Sequence, residues 1–241
     1  MAEVITVDDF PGYLAKPAGE CKGGLIIVHE VWGLSDHMKD VTERFAAEGY
    51  LALAPDLLSE TGIYEKVTPG LAEDLFNPET RNQAQPKIRE LMTPLQEPGF
   101  GEQTVKKLRA CFDYLAKDEM TGGQVAIVGF CFGGTYAFGL AAAERHLKAA
   151  VPFYGHSDQS VEQLKDINCP ILAFYGEKDE RLITALPELK HKMSEAGVDF
   201  TAQVYPNCGH AFFNDTNRFA YNEAAAKDAW QKTLDFLAAH I

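Results

Sequence analysis

Several scarcities narrow the class of this protein before any motif is considered. Positive charge is short: 22 Lys and Arg stand against 35 Asp and Glu, a formal net charge of −13. Nucleic acid and anionic membrane surfaces are therefore not expected as partners. Long apolar runs are missing, and no stretch reaches the length of a membrane-spanning helix. The opening residues, Met1-Ala-Glu-Val-Ile-Thr-Val-Asp-Asp9, are acidic and lack the apolar segment of a secretory signal. Cysteine is sparse and odd in number. Cys21, Cys111, Cys131, Cys169 and Cys208 form no Cys-x-x-Cys pair, which argues against a disulfide framework and fits a cytoplasmic location. Cys208-Gly-His210 is no zinc pattern, and neither a metal nor a cofactor is expected. No internal repeat or low-complexity tract appears.

What is present is ordinary for a soluble globular protein, with 46% hydrophobic and 24% charged residues. Residues 1–241 suffice for one large α/β domain with a well-buried core. The chain is organised around Val125-Ala-Ile-Val-Gly-Phe-Cys-Phe-Gly-Gly134. An apolar run enters a Gly-x-Cys-x-Gly turn, and apolar residues resume from Tyr136 to Ala143. This reads as a buried strand, a sharp turn and a helix. Gly129 and Gly133 flank the turn, where a Cβ would meet neighbouring backbone. Cys131 at the apex would be strained, with its sulfur pointing out of the sheet just ahead of a helix N-terminus. Unpaired N–H groups and the positive dipole end there favour a thiolate and an oxyanion. Taken alone, the motif is equally a buried thiol between small residues. In its strand–helix context it matches the nucleophile elbow of α/β-hydrolases, with Cys in place of Ser.

The rest of the chain supports that context. Residues 3–15 read as an entry strand or hairpin. Gly24–His29 is a continuous apolar run, as in a central parallel strand. A helix capped by Ser35 or Asp36 leads to the strand Tyr50–Ala54. Residues 57–100 break the rhythm with Pro69, Pro78, Pro86, Pro94 and Pro98, and read as a lid-like or substrate-binding segment with one short helix from Asn77 to about Leu91. A helix near 101–117, the elbow, strands at Lys148–Tyr154 and Cys169–Tyr175, a helix from Leu182 to Gly197, the strand Phe200–Tyr205 and a final helix Glu223–Ala239 follow. The alternation predicts an α/β fold: a doubly wound, mostly parallel sheet with helices on both faces and ligands at the strand carboxyl ends.

A Cys nucleophile needs a base, and the base needs a group that fixes its tautomer. Cys131, Asp179 and His210 follow three predicted strands, in the α/β-hydrolase order of nucleophile, acid and histidine. Backbone N–H groups of Phe132 and Val31 are the candidates for an oxyanion hole. Glu30, between the two loops, either bonds the loop backbone or faces the thiol, where its charge would disfavour a thiolate.

The segments Gly24–Gly33, Gly129–Gly134, Gly176-Glu-Lys-Asp179 and Gly209-His-Ala-Phe212 together resemble the dienelactone hydrolase (carboxymethylenebutenolidase) family over nearly the whole chain. The resemblance implies the α/β-hydrolase fold, a Cys–His–Asp triad, and a Glu, matching Glu30, that keeps the resting thiol neutral. It implies cleavage of an enol-lactone and two arginines that hold the substrate carboxylate. Arg81 resembles one of them. Asn214 stands four residues after His210, where the family has the other, so the natural substrate stays open. The expected partner is a small-molecule lactone or ester, acted on by a monomer or small homo-oligomer. A general carboxylesterase or thioesterase on the same triad is the nearest alternative. A non-catalytic binder or thiol redox sensor on the same fold is the more distant one.

Overall fold

Eight strands in the order β1-β2-β4-β3-β5-β6-β7-β8 form one sheet in the computed structural model, which describes residues 1–68 and 70–241. The chain opens as an antiparallel hairpin of β1 (Ala2–Val7) and β2 (Phe10–Ala15), and β2 pairs antiparallel with β4. β3 (Gly23–Val28) leads to α1 (Asp36–Ala47), whose cap is Ser35, accepting the Met38 N–H on its hydroxyl. β4 is Tyr50–Pro55.

Three helices follow: α2 (Ile63–Lys66), α3 (Leu71–Phe76) and α4 (Arg81–Met92). Segment 57–100 is therefore more helical than its prolines predict. Pro86 lies inside α4, and Pro94 sits in a 3-10 turn, Thr93–Gln96. Pro69 lies outside the described residues. The single short helix expected there begins at Arg81, because Asn77 turns the chain by accepting the Glu79 N–H on its side chain.

α5 (Phe100–Lys117), β5 (Val125–Phe130), α6 (Phe132–Ala143), β6 (Ala150–Phe153), the short α7 (Val161–Leu164), β7 (Ile171–Gly176), α8 (Glu180–Ala196), β8 (Phe200–Tyr205) and α9 (Glu223–His240) complete the fold. From β4 through β3 and β5 to β8, every pairing is parallel. All residues of β3, β4, β5 and β7 are buried, which explains their continuous apolar sequences. Helices cover both faces. α1 and α9 meet through Phe45 and Trp230, with ring centroids 4.4 Å apart, while α5 and α6 pack together. Among the described residues no helix is long and apolar enough to cross a membrane. In such a sheet the loops that follow the parallel strands share one edge, so residues just beyond β3, β5, β7 and β8 are brought side by side.

Candidate active site

Cys131 joins β5 to α6 with φ 56° and ψ −110°, a conformation that costs a non-glycine residue about 1–3 kcal/mol. Two close backbone approaches hold it there. A Cβ on Gly129 would collide with the Gly133 carbonyl, and one on Gly133 would collide with the Val28 carbonyl at the end of β3. The Cys131 N–H donates to Phe153 O at 3.0 Å, and the Gly133 N–H donates to His29 O at 3.1 Å. The turn is thus tied to both neighbouring strands, and the partly exposed thiol stands at the N-terminus of α6.

Asp179, three residues past β7, and His210, five past β8, lie next to it. His210 Nδ1 and Asp179 Oδ2 are 2.5 Å apart. The other ring nitrogen is left for the thiol. Burial opposes an imidazolium, but the Cys131 sulfur and the Asp179 carboxylate together outweigh it and push His210 up to about 10. The imidazole remains 27% exposed, open to a ligand from the solvent side. Such a thiol–imidazole–carboxylate series can deliver a thiolate and carry its proton.

Glu30 is only 3% exposed, and burial pushes its carboxyl above the usual range. Its Oε2 accepts from Asn214 Nδ2 at 2.7 Å, and its Oε1 accepts from the Tyr154 hydroxyl at 3.4 Å. The Tyr154 ring lies 4.9 Å from the His210 ring, so one phenol bridges carboxylate and imidazole. Val31 follows Glu30 and Phe132 follows Cys131. Among the described residues neither N–H has a hydrogen-bond partner, as a pair of donors kept for an oxyanion requires. The loop that carries Val31 is pinned twice. His29 bridges Glu30 O and the Leu57 N–H, at 2.7 and 3.1 Å, and Tyr64 OH accepts the Leu34 N–H at 3.1 Å while donating to Asp56 at 2.5 Å.

The structure thus gathers Cys131, Asp179, His210, Glu30, Val31 and Phe132 around one sheet edge. Arg81 is different: it opens α4, exposed, and its guanidinium enters no ion pair among the described residues. Asn214, by contrast, does not face solvent. It is 7% exposed and serves Glu30. Sequence reasoning missed this pairing, along with Tyr154 and Tyr64. Tyr154 reads as the last residue of an apolar strand, and Tyr64 lies in a proline-broken segment. Only the φ of 39° at Tyr154, invisible in sequence, marks it as unusual.

An eight-stranded, mostly parallel sheet with a sharp, strained turn between β5 and α6 defines this protein as an α/β-hydrolase. The dienelactone hydrolase family model matches residues 10–241. The "Putative carboxymethylenebutenolidase" of Saccharolobus solfataricus is 34% identical, over 93% of this chain and 92% of its own length. A protein of the same name from Salmonella typhimurium is 32% identical, over 96% and 83%. The solved structure of a "Putative Dienelactone Hydrolase" from Klebsiella pneumoniae superposes with a TM-score of 0.84 at 27% identity, covering 100% of this chain and 99% of its own. The chain belongs to the dienelactone hydrolase family and is a dienelactone hydrolase-like hydrolase.

Proposed function

We propose that the protein cleaves a lactone or ester of the dienelactone type through a Cys131–His210–Asp179 triad and a covalent acyl-enzyme. The observation that carries this reading is the 2.5 Å His210–Asp179 pair beside a cysteine held at a positive φ. The Cys131 thiolate attacks the carbonyl carbon, and the carbonyl oxygen becomes an oxyanion held by the Phe132 and Val31 N–H groups. The tetrahedral intermediate collapses with loss of the ring or ester oxygen, which takes the proton held by His210. Water, giving a proton to His210, then hydrolyses the thioester and returns Cys131. Asp179 keeps His210 oriented through both steps. Glu30, buried and held by Asn214 and Tyr154, is the candidate group that tunes the thiol.

One domain, residues 1–241, carries this machinery, with segment 57–100 as a lid or substrate-binding element. Arg81 is that segment's candidate substrate contact. Five free cysteines and the acidic balance fit a cytoplasmic setting. The names of the relatives support a carboxymethylenebutenolidase-type reaction. The test is Cys131→Ala, a small residue compatible with the crowded turn. Turnover of an activated aryl ester should fall by several orders of magnitude with Tm nearly unchanged. Mass spectrometry of the wild type during turnover should find the acyl group on Cys131. A folded Cys131→Ala protein retaining more than about a tenth of the activity would remove Cys131 as the nucleophile.

A further inference from the structure

Among the described residues, five that are not glycine have a positive φ. Asp8 and Asn207 are of the kind that adopts it in turns. The other three meet at the sheet edge that carries the site: Cys131 itself, Ala211 beside His210, and Tyr154 with φ 39°. For so large a side chain that backbone is an outlier, and strain of this sort persists only where the surrounding structure enforces it. Two contacts enforce it here. The Tyr154 N–H donates to Phe174 O at 2.7 Å. The next residue, Gly155, lies so close to α6 that a Cβ on it would collide with Gly134. The strained turn at Cys131 serves the elbow, whereas the chemistry of the three site residues leaves the strain at Tyr154 unexplained.

What the strain achieves is a placement. Tyr154 is buried, and its ring centroid lies 4.9 Å from that of His210 and 5.6 Å from that of Phe212, which meets it edge-on. The His210 loop thus closes on the phenol ring. At the other end, the hydroxyl donates to Glu30 Oε1 at 3.4 Å. Burial, with Glu30 and Cys131 adding to it, pushes the phenol well above its ordinary 10, so it keeps the proton it donates. Glu30 is fixed in turn, because its Oε2 accepts from Asn214 Nδ2 at 2.7 Å. A continuous series of contacts therefore runs from Asn214 through Glu30 and Tyr154 to the imidazole. Its members come from the loops after β8, β3 and β6.

From the strained backbone and this series of contacts, we propose that Tyr154 is a positioning residue for His210. Its ring is the wall that holds the imidazole in line with Asp179 and Cys131, and Glu30 fixes that wall through the phenol hydroxyl. An imidazole held only at Nδ1 by Asp179 can swing about that contact and carry its other nitrogen away from the sulfur. Misplacing a reacting group by about 1 Å costs about a hundredfold in rate. Glu30 thereby also acts on the reaction through Tyr154. The proposal rests on the catalytic reading of His210.

Three variants test it with an activated aryl ester. Tyr154→Phe keeps the wall and loses its tether. It should lower kcat about threefold to tenfold, the scale of one hydrogen bond, with KM nearly unchanged because a buried ring does not meet the substrate. Tyr154→Leu removes the wall and should lower kcat about a hundredfold. Glu30→Gln has a single acceptor oxygen, which Asn214 claims, so the phenol loses its acceptor. Both tether variants break one contact, so combining Tyr154→Phe with Glu30→Gln should bring kcat no more than about twofold below the slower single variant. A merely structural role would not produce that coupling. The proton between His210 Nδ1 and Asp179, read by NMR as a far-downfield signal, should persist in Tyr154→Phe and disappear in Tyr154→Leu. Full multiplication of the two single effects overturns the proposal. So does a folded Tyr154→Leu protein that keeps the Nδ1 proton, or keeps kcat within about threefold of wild type. Should Tyr154→Leu not fold, the coupling of Tyr154→Phe with Glu30→Gln decides alone. If the wild type hydrolyses no ester, the catalytic reading fails by itself, and the Nδ1 proton still decides whether Tyr154 holds the ring.

Discussion

The side-chain amide of Asn214 donates to the Glu30 carboxylate at 2.7 Å, deep inside the protein. Its orientation is enforced, since Asn214 Oδ1 accepts both the Thr216 N–H at 3.1 Å and the Thr216 hydroxyl at 2.7 Å, leaving only the NH2 group to face Glu30. The next residue, Asp215, pairs with Arg44 at 2.6 Å and lies 3.2 Å from His37 Nδ1. The loop that follows His210 is thus anchored to α1 and to the loop after β3 at once. Asn214→Ala should cost about 1–3 kcal/mol by leaving a buried carboxyl under-satisfied. Urea unfolding measures it; a loss below about 0.5 kcal/mol, the range of an ordinary surface change, would show the pair to be dispensable.

The same pairing changes what an arginine at position 214 would do. It would enter a buried site against Glu30, instead of reaching into solvent to meet a substrate. Asn214→Arg should therefore leave the acid-to-ester ratio of kcat/KM within about threefold of wild type, less than a charged contact with substrate supplies. A gain of tenfold or more for the acid would place residue 214 at the substrate.

Glu30 gives a stability signature in pH. Burial raises its carboxyl above the ordinary 4.5 in the folded protein, so the native state keeps a proton that the unfolded chain releases as pH rises past 4.5. Stability from this group then falls with rising pH over that window, because the native state binds more protons than the unfolded one. Glu30→Gln removes the dependence. The Tm of the variant relative to wild type should climb as pH rises above 4.5. Parallel Tm curves would mean that Glu30 is ionised as readily in the fold as outside it.

His210 shifts upward too, but as a cation. Its folded value of about 10 lies above the ordinary 6.5, so the imidazolium contributes stability in full below 6.5 and loses it as pH rises through about 10. NMR titration of the His210 ring should show a proton retained well past neutrality in wild type. Both Cys131→Ala and Asp179→Asn should bring the transition back toward 6.5, since the sulfur and the carboxylate hold the charge. A wild-type transition already near 6.5 would show that neither the sulfur nor the carboxylate holds a charge on the ring.

Tyr64 is placed to position the loop of the proposed oxyanion donor Val31. Its phenol covers Gly33, which has φ 74°, and ties the Leu34 N–H, three residues beyond Val31, to Asp56. Tyr64→Phe removes both hydrogen bonds and keeps the ring. It should lower kcat about threefold to tenfold with KM nearly unchanged, because the loosened group is the proposed oxyanion contact, made in the transition state. An equal rise in KM instead would point to a role in substrate binding.

The sequence by itself determined the sheet and the elbow, since both are written locally. Continuous apolar runs such as Leu25–Val28 and Val125–Val128 encode doubly buried strands, and glycines at 129 and 133 encode a turn too tight for a Cβ. Strand order then carried Cys131, Asp179 and His210 to one edge, so candidates far apart in the chain could be named from position alone. Segment 57–100 resisted, because short helices such as Ile63–Lys66 are stabilised by what they dock on more than by their own periodicity. Tertiary structure alone decided the surroundings of these three residues. That Asn214 serves Glu30 and that Tyr154 bridges Glu30 to His210 depends on side chains converging from separate loops. No local pattern encodes such meetings: which buried polar groups find partners, and which are left without one, is settled only when the loops pack.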